Sequence, residues 1–187
     1  MPRSLPRQLT VEVDTREKIP LVFPQYISVP PTASCVGQPK KIRILTKKVK
    51  LDAGDYRLKE CPEICGIERK SGQSELLSNL TTKDYSRFYK ALQRFSLGYL
   101  FPIMLVEATP SILMADPLPT GGLRKTDPSF MVHRLSLLVS LLHIHLIVGG
   151  HSRSVAQRRN VGRFMLHLMV GLSIPTILGI KLDTKES

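Results

Sequence analysis

The chain has 187 residues, enough for one domain with a sizeable core and too few for several. Its apolar share of 42% excludes a disordered or fibrous class, and three cysteines, an odd count, exclude a disulfide framework. Lys and Arg number 27 against 15 acids, a net charge of +12, which favours a polyanionic partner; no lipidation motif or basic amphipathic anchor accompanies it, so nucleic acid comes before a membrane surface.

The first residues hold no apolar segment of the kind a secretory signal needs, and 1–8 read as a flexible lead-in. The alternation from Val11 to Asp14 predicts a strand, and the stretch VEVDTRE ends it in acid, Arg and acid: Asp14, Arg16 and Glu17. Pro20, Pro24, Pro30, Pro31 and Pro39 then predict a long loop over 18–40, directly after that acidic strand end. From Lys41 to Leu51 basic and apolar residues alternate. Ile42, Ile44 and Val49 are expected to face in, and Lys40, Lys41, Arg43, Lys47, Lys48 and Lys50 to crowd outward. Two readings of those lysines stand side by side: an edge strand guarded against pairing, and a basic wall beside the carboxylates of Asp55 and Glu68, with Lys47, Lys48 and Lys50 as phosphate contacts.

Leu51 closes that run and Ile64 to Glu68 opens another, with Gly54-Asp55-Tyr56 between them. Asp55 and Glu68 are therefore expected at neighbouring strand ends. Two carboxylates there can hold Mg²⁺ or Mn²⁺, because hard cations take oxygen ligands. Lys70 lies two residues beyond Glu68, on the same strand face. An ammonium there can orient a metal-bound water and steady charge on a phosphate. Cys61 and Cys65 have no second ligand pair to complete a zinc site and read as reduced thiols in a loop.

Ser74–Leu80 and Lys83–Leu97 predict helices. In the second, Tyr85, Phe88, Tyr89, Leu92 and Phe95 mark a core face; Arg87, Lys90 and Arg94 line another, either solvated surface or a phosphate-contacting stripe. Ile103–Glu107 predicts a buried strand. Residues 109–128, with Pro110, Pro117, Pro119, Gly121, Gly122, Arg124 and Lys125, predict a charged loop. Ser129–Leu142 is apolar almost all round, which predicts a helix covered on both sides, by the domain or by a dimer mate. Ile144–Val148 predicts a short strand. Ser152 is the expected cap of a last helix whose inner stripe is Val161, Phe164, Met165, Leu168, Met169 and Leu172, with Arg153, Arg158, Arg159 and Arg163 outward. The run from Leu135 to Val148 is too short to span a bilayer. The histidines show no ligand spacing and read as structural. Strands then alternate with helices as in an α/β sandwich with a mixed sheet.

The blocks VDTREK, LDAGDY and IERKS, in this order and spacing, resemble the XPF/Hef family of structure-specific endonucleases, which spells them V-D-x-R-E, G-D and E-R-K. RFYKALQRF at 87–95 and FPIMLVE at 101–107 look like that family's helix and following strand. The resemblance covers roughly residues 9–172. It implies a restriction-endonuclease-like core, a central mixed β-sheet flanked by α-helices, with 9–175 as the nuclease domain and 176–187 as a tail. Neither a helix-hairpin-helix nor a helicase domain is expected in this chain.

The implied activity is Mg²⁺-dependent cleavage of branched, flapped or forked DNA, with Mn²⁺ substituting, in repair or recombination inside a cell or for a virus or mobile element. Asp55 and Glu68 are the implied metal ligands. Lys70 positions or activates water, Asp14 and Glu17 support the metal shell, and Arg16 and Arg69 hold phosphate or organise the acids. A homodimer is expected, with Met131, Leu138, Phe164 and Leu168 at the contact or directly beneath it. One departure stands out: the acid the family places six residues after the Glu of E-R-K is Ser74 here, and Glu75 follows, a shift of one residue. Two other readings stay open. One is a non-catalytic scaffold partner, although such partners have usually lost acids that this chain keeps. The other is a nicking or recombination nuclease on the same core.

Overall fold

Seven strands, β1 (Gln8–Asp14), β2 (Tyr26–Val29), β3 (Lys40–Val49), β4 (Tyr56–Leu58), β5 (Cys65–Lys70), β6 (Phe101–Glu107) and β7 (His145–Gly149), make one sheet in the order β2-β3-β1-β4-β5-β6-β7. The helices are α1 (Gln73–Thr81), α2 (Tyr85–Gly98), α3 (Pro110–Leu113), α4 (Pro128–Leu141) and α5 (Val155–Ile177). The computed structural model describes residues 5–30, 39–115, 127–150 and 153–180. The sheet is mixed: β1 runs parallel to β3, β4 antiparallel to both β1 and β5, and β5, β6 and β7 parallel to one another. This is the expected α/β class, a central mixed sheet flanked by helices.

Strand alternation sorts the sheet into two covered faces. Leu9, Val11, Val13, Ile42, Ile44, Ile67 and Leu105 pack with Met165, Leu166, Met169 and Val170 of α5. Met104 and Val106 point the other way, into a second core built by Leu76 and Leu80 of α1, Leu92 and Phe95 of α2, and Leu135 and Leu138 of α4. The cleft described below opens where β1, β5 and β6 end.

Several expectations need correction. The loop over 18–40 contains β2: Ile27 and Val29 alternate into the core, and Pro24 and Pro30 flank the strand without entering it. β4 is three residues long, too short for periodicity to show, yet Tyr56 and Leu58 are both buried. β3 is not an outer strand. β2 pairs with Lys40–Arg43, so the lysine guard applies only to the rest of β3, which pairs with β1 alone on its other side. Cys65 lies in β5 rather than in a loop, while Cys61 is a free thiol in the loop before it as expected; both are buried, and burial pushes Cys65 up to about 12 and keeps it protonated.

The folded part is wider than 9–175. Leu5 is in the core, β1 starts at Gln8, α5 continues to Ile177 and Leu178 is buried. Ser152 lies outside the described residues, and Ser154 is the cap of α5, in a reciprocal pair with Gln157. Gly121, Gly122, Arg124 and Lys125 also lie outside them; the described part of 109–128 contains α3, capped by Thr109. α4 buries Met131, Leu135 and Leu138 but leaves Phe130, Leu137 and Leu141 about half exposed, so its outer face is open in the single chain. On α5 the inner stripe is rotated from the expected one: Leu166 and Val170 face in and Phe164 is 52% exposed. Gly162 explains the rotation. A Cβ there would lie 2.5 Å from the Val22 carbonyl oxygen, so this bare face must meet the 21–22 backbone. Among the described residues, no helix is long and apolar enough to cross a membrane.

Candidate active site

Gly54 places the first acid. Its φ of +75° is left-handed, and a Cβ would sit 2.9 Å from the Phe95 ring and 3.3 Å from the Ile67 carbonyl oxygen. The turn delivers Asp55 to the start of β4, where its N–H donates to the Ile67 carbonyl (2.7 Å) and its own carbonyl accepts from Asp14 N–H (2.8 Å). Tyr56 pairs with Ile67 across the antiparallel ladder, so Asp55 stands opposite Glu68. The predicted juxtaposition of Asp55 and Glu68 is thus present. Burial, and then the Glu68 carboxylate, push Asp55 up to about 7, although the Arg69 N–H donates to its Oδ2 at 2.7 Å.

Lys70 shares that face. Its Nζ lies 2.8 Å from Glu68 Oε1, 3.3 Å from Glu75 Oε1 and 5.2 Å from the Phe88 ring centre. Burial opposes its charge, but Glu68 and Glu75 outweigh burial and raise it, so it stays an ammonium. Glu75 reaches back from the first turn of α1, its Oε2 accepting from the Ser71 N–H and hydroxyl, both at 2.8 Å. Ser74 is exposed. The shifted acid of the sequence therefore lies in the cleft, as a partner of Lys70.

The remaining expected residues divide by what they touch. Asp14 is fully buried: Oδ1 accepts from Arg16 N–H and Nε (2.7 Å each), and Oδ2 from Arg16 Nη2 (2.9 Å) and Leu51 N–H (2.8 Å). Burial alone would raise it, yet these bonds hold it at about 2. It does not line the cleft; it anchors Arg16, whose side chain is 65% exposed and lines the rim. The Arg69 side chain is 8% exposed and points to the opposite face of β5 from Lys70. Its Nε and Nη2 fork onto Glu107 (2.7 and 3.0 Å), and Nη1 donates to Glu17 Oε2 and to the Ile19 carbonyl (2.7 Å each). Tyr56 hydroxyl also donates to Glu17 Oε2 at 2.6 Å, so that carboxylate is held from two sides.

Arg16, Glu17, Asp55, Glu68, Arg69, Lys70, Glu75 and Glu107 line one cleft of about 790 Å³, together with Lys18, Ile19, Ser71 and Arg153. Lys47, Lys48 and Lys50 are exposed near the end of β3 and do not line it. Nor does Arg87, which pairs with Asp84 at 3.3 Å on the outer face of α2. Sequence reasoning missed Glu107 and Arg153. Glu107 had a signal: it closes an apolar strand in FPIMLVE, as Asp14 closes VEVD. Arg153 had none, since its place depends on how α5 returns to the sheet.

Among the described residues, no three His, Cys, Asp or Glu side chains form a ready metal cage. The donor set still fits a hard divalent cation. Asp55 and Glu68 present carboxylate oxygens side by side, and Mg²⁺ commonly takes one or two carboxylates and keeps several waters. A buried acid near 7 beside a second carboxylate is a pair that a cation would relieve.

No protein-family model matches the chain, and no curated protein does. Solved structures do. The chain is similar to XPF from Aeropyrum pernix, at 16% identity over 88% of this chain and 69% of that one, with a TM-score of 0.50. It is similar also to XPF from Aeropyrum pernix in complex with DNA, at 17% identity over 90% of this chain and 66% of that one, with a TM-score of 0.54. At such identities the likeness is one of fold. The seven-stranded α/β architecture is XPF-like, and this chain spans about two thirds of the length of those chains.

Proposed function

We propose that this protein is a divalent-metal-dependent DNA endonuclease of the XPF/Hef type that cuts branched, flapped or forked DNA. The observation that carries the reading is Asp55 opposite Glu68 with Lys70 held beside them in a cleft rimmed by arginine. The XPF-like fold supports it, as does the net charge of +12.

Asp55 and Glu68 would hold Mg²⁺, with Mn²⁺ able to substitute, and the bound ion would supply an activated water and charge stabilisation at the phosphate. Lys70, kept cationic by two carboxylates, cannot serve as a base; it orients the attacking water and offsets charge on the phosphate oxygens. Arg16, Lys18 and Arg153 supply cationic groups at the rim for the flanking phosphates. Arg69 is committed to Glu17 and Glu107, so it and Glu17 act as framework rather than phosphate grip. Cleavage leaves a 5′-phosphate and a 3′-hydroxyl. The scaffold-partner reading is less favoured, because such a partner has no need for the intact acid–acid–lysine set.

The apolar residues Phe130, Leu137 and Leu141 on the outer side of α4 support a homodimer. In that pairing the buried Met131 and Leu138 would lie beneath the contact, while Phe164 and Leu168, on α5 across the sheet, would fall outside it. An intracellular site of action accords with a DNA substrate. The test is cleavage by purified protein of labelled flap, fork, junction and linear duplex DNA with Mg²⁺, Mn²⁺ or EDTA. Cutting confined to branched DNA with metal is expected; no cutting of any DNA, or cutting in EDTA, would overturn the reading.

A further inference from the structure

A second basic concavity lies between β2 and the first half of α5. It holds about 450 Å³ and is lined by Tyr26, Ser28, Lys41, Arg159, Arg163 and His167, among others. Among the described residues no carboxylate lines it, in contrast to the acid-rich cleft. Arg159 and Arg163 stand one turn apart on α5 and are exposed. Tyr26 is 48% exposed, and the Lys41 ammonium sits 4.4 Å from its ring centre. An aromatic ring and clustered cations together are what a single strand needs: a stacking platform and a backbone grip. A volume of this size suits a small ligand or a few nucleotides rather than a duplex.

The groove is framed by the same two segments as the cleft. Lys18 and Ile19 line the cleft and Tyr26 and Ser28 the groove, on one stretch of chain. Arg153 lines the cleft, and Arg159 to His167, about 12 Å of helix, line the groove. The two segments are tied together between the two sites by the Val22 N–H bond to the Arg158 carbonyl (3.3 Å) and by the contact of Gly162 with Val22. The cleft and the groove thus share one seam between the 18–28 segment and α5.

We propose that the groove binds a single-stranded arm of the DNA substrate, with Tyr26 stacking on a base and Lys41, Arg159 and Arg163 gripping phosphates. The proposal rests on the nuclease reading for its substrate, but its test reads binding alone, so the two can fail separately. Full-length wild type, Arg159→Gln/Arg163→Gln, Tyr26→Ala and Tyr26→Phe are titrated in EDTA, across a range of salt, against a fluorescent oligothymidylate and a fluorescent blunt duplex.

The double variant should bind the oligothymidylate about tenfold more weakly, with its log–log salt slope reduced by about 1.4 for two lost contacts. Duplex affinity and melting temperature should hold. Tyr26→Ala should weaken single-strand binding with the slope unchanged, and Tyr26→Phe should keep most of it. Unchanged oligothymidylate affinity in the double variant and in Tyr26→Ala would overturn the proposal. Equal losses on duplex and single strand would overturn it too, as general charge. So would a change in sedimentation with DNA affinity intact, which would make the groove a protein contact. A wild type that cuts nothing but shows the expected binding pattern would remove the nuclease reading and leave the groove.

Discussion

Asp55 sits where a carboxylate is least at ease, partly buried and opposite a second acid. Its folded pKa of about 7 lies above the ordinary 3.8, so the folded state holds a proton that the unfolded state releases between those values. Its contribution to stability is therefore complete below about pH 4 and is lost as pH rises through 7. Metal-free protein should melt lower at pH 8 than at pH 5.5 on this account, and Mg²⁺ or Mn²⁺ should restore part of the difference. Asp55→Asn removes the penalty, so without metal at pH 8 it should melt higher than wild type and respond little to Mn²⁺. Thermal melts at the two pH values read this; an Asp55→Asn protein that is less stable than wild type at pH 8 would contradict it. Arg69 makes the opposite case. Its side chain is 8% exposed between Glu17 and Glu107, so Arg69→Met takes the cation away from two partly or fully buried carboxylates. A loss of about 3–5 kcal/mol in urea unfolding is expected, and a loss below about 1 kcal/mol would show the network to be structurally idle.

At the scale of elements, α5 is positioned by a close approach rather than by its stripe alone. Gly162→Ala puts a methyl group against the Val22 backbone and should cost about 1–3 kcal/mol. Gly171→Ala, on the same helix and in open space, should be neutral or stabilising, and urea unfolding of the pair tests the account. The same close approach explains what the sequence could and could not tell. The strands that carry the acids were legible because VEVD alternates, FPIMLVE is a continuous apolar run, and Glu68, Arg69 and Lys70 follow the apolar Ile64 and Ile67. Lys70 followed from its spacing after Glu68 along one strand; the meeting of Asp55 and Glu68 was expected from the strand that ends at Leu51, whereas β1 and β4 separate that strand from β5 and it is β4 that brings Asp55 opposite Glu68. β2 and β4 were not legible, since Tyr26–Val29 hides among prolines and Tyr56–Leu58, at three residues, is shorter than the stretch over which alternation can be read. The rotation of α5 was hidden too. An apolar-rich helix permits several inner stripes, and only a tertiary contact at Gly162 chooses among them. Arg153 reaches the cleft through the return of α5, which no local pattern encodes, whereas Glu107 closes an apolar strand and was legible from that position.

For the whole molecule, the open apolar faces and the charge make separate claims. Phe130, Leu137 and Leu141 lie along the outer side of α4. If they are covered by a second copy, sedimentation at micromolar concentration should give a dimer, and Leu137→Glu/Leu141→Glu should give a folded monomer. A wild-type monomer would rule the pairing out. The charge of +12 requires that duplex affinity fall steeply with salt, and reversing the exposed Lys47, Lys48 and Lys50 to Glu should weaken binding with little change in melting temperature. The central claim is that Asp55, Glu68 and Lys70 form a working hydrolytic site. Its most direct test is the single-turnover rate of flap cleavage in Mg²⁺ for wild type against Glu68→Gln, with both proteins shown to be folded and equally bound to the DNA. The account predicts cleavage by wild type and a loss of at least about a hundredfold in Glu68→Gln; equal rates for the two proteins would contradict it.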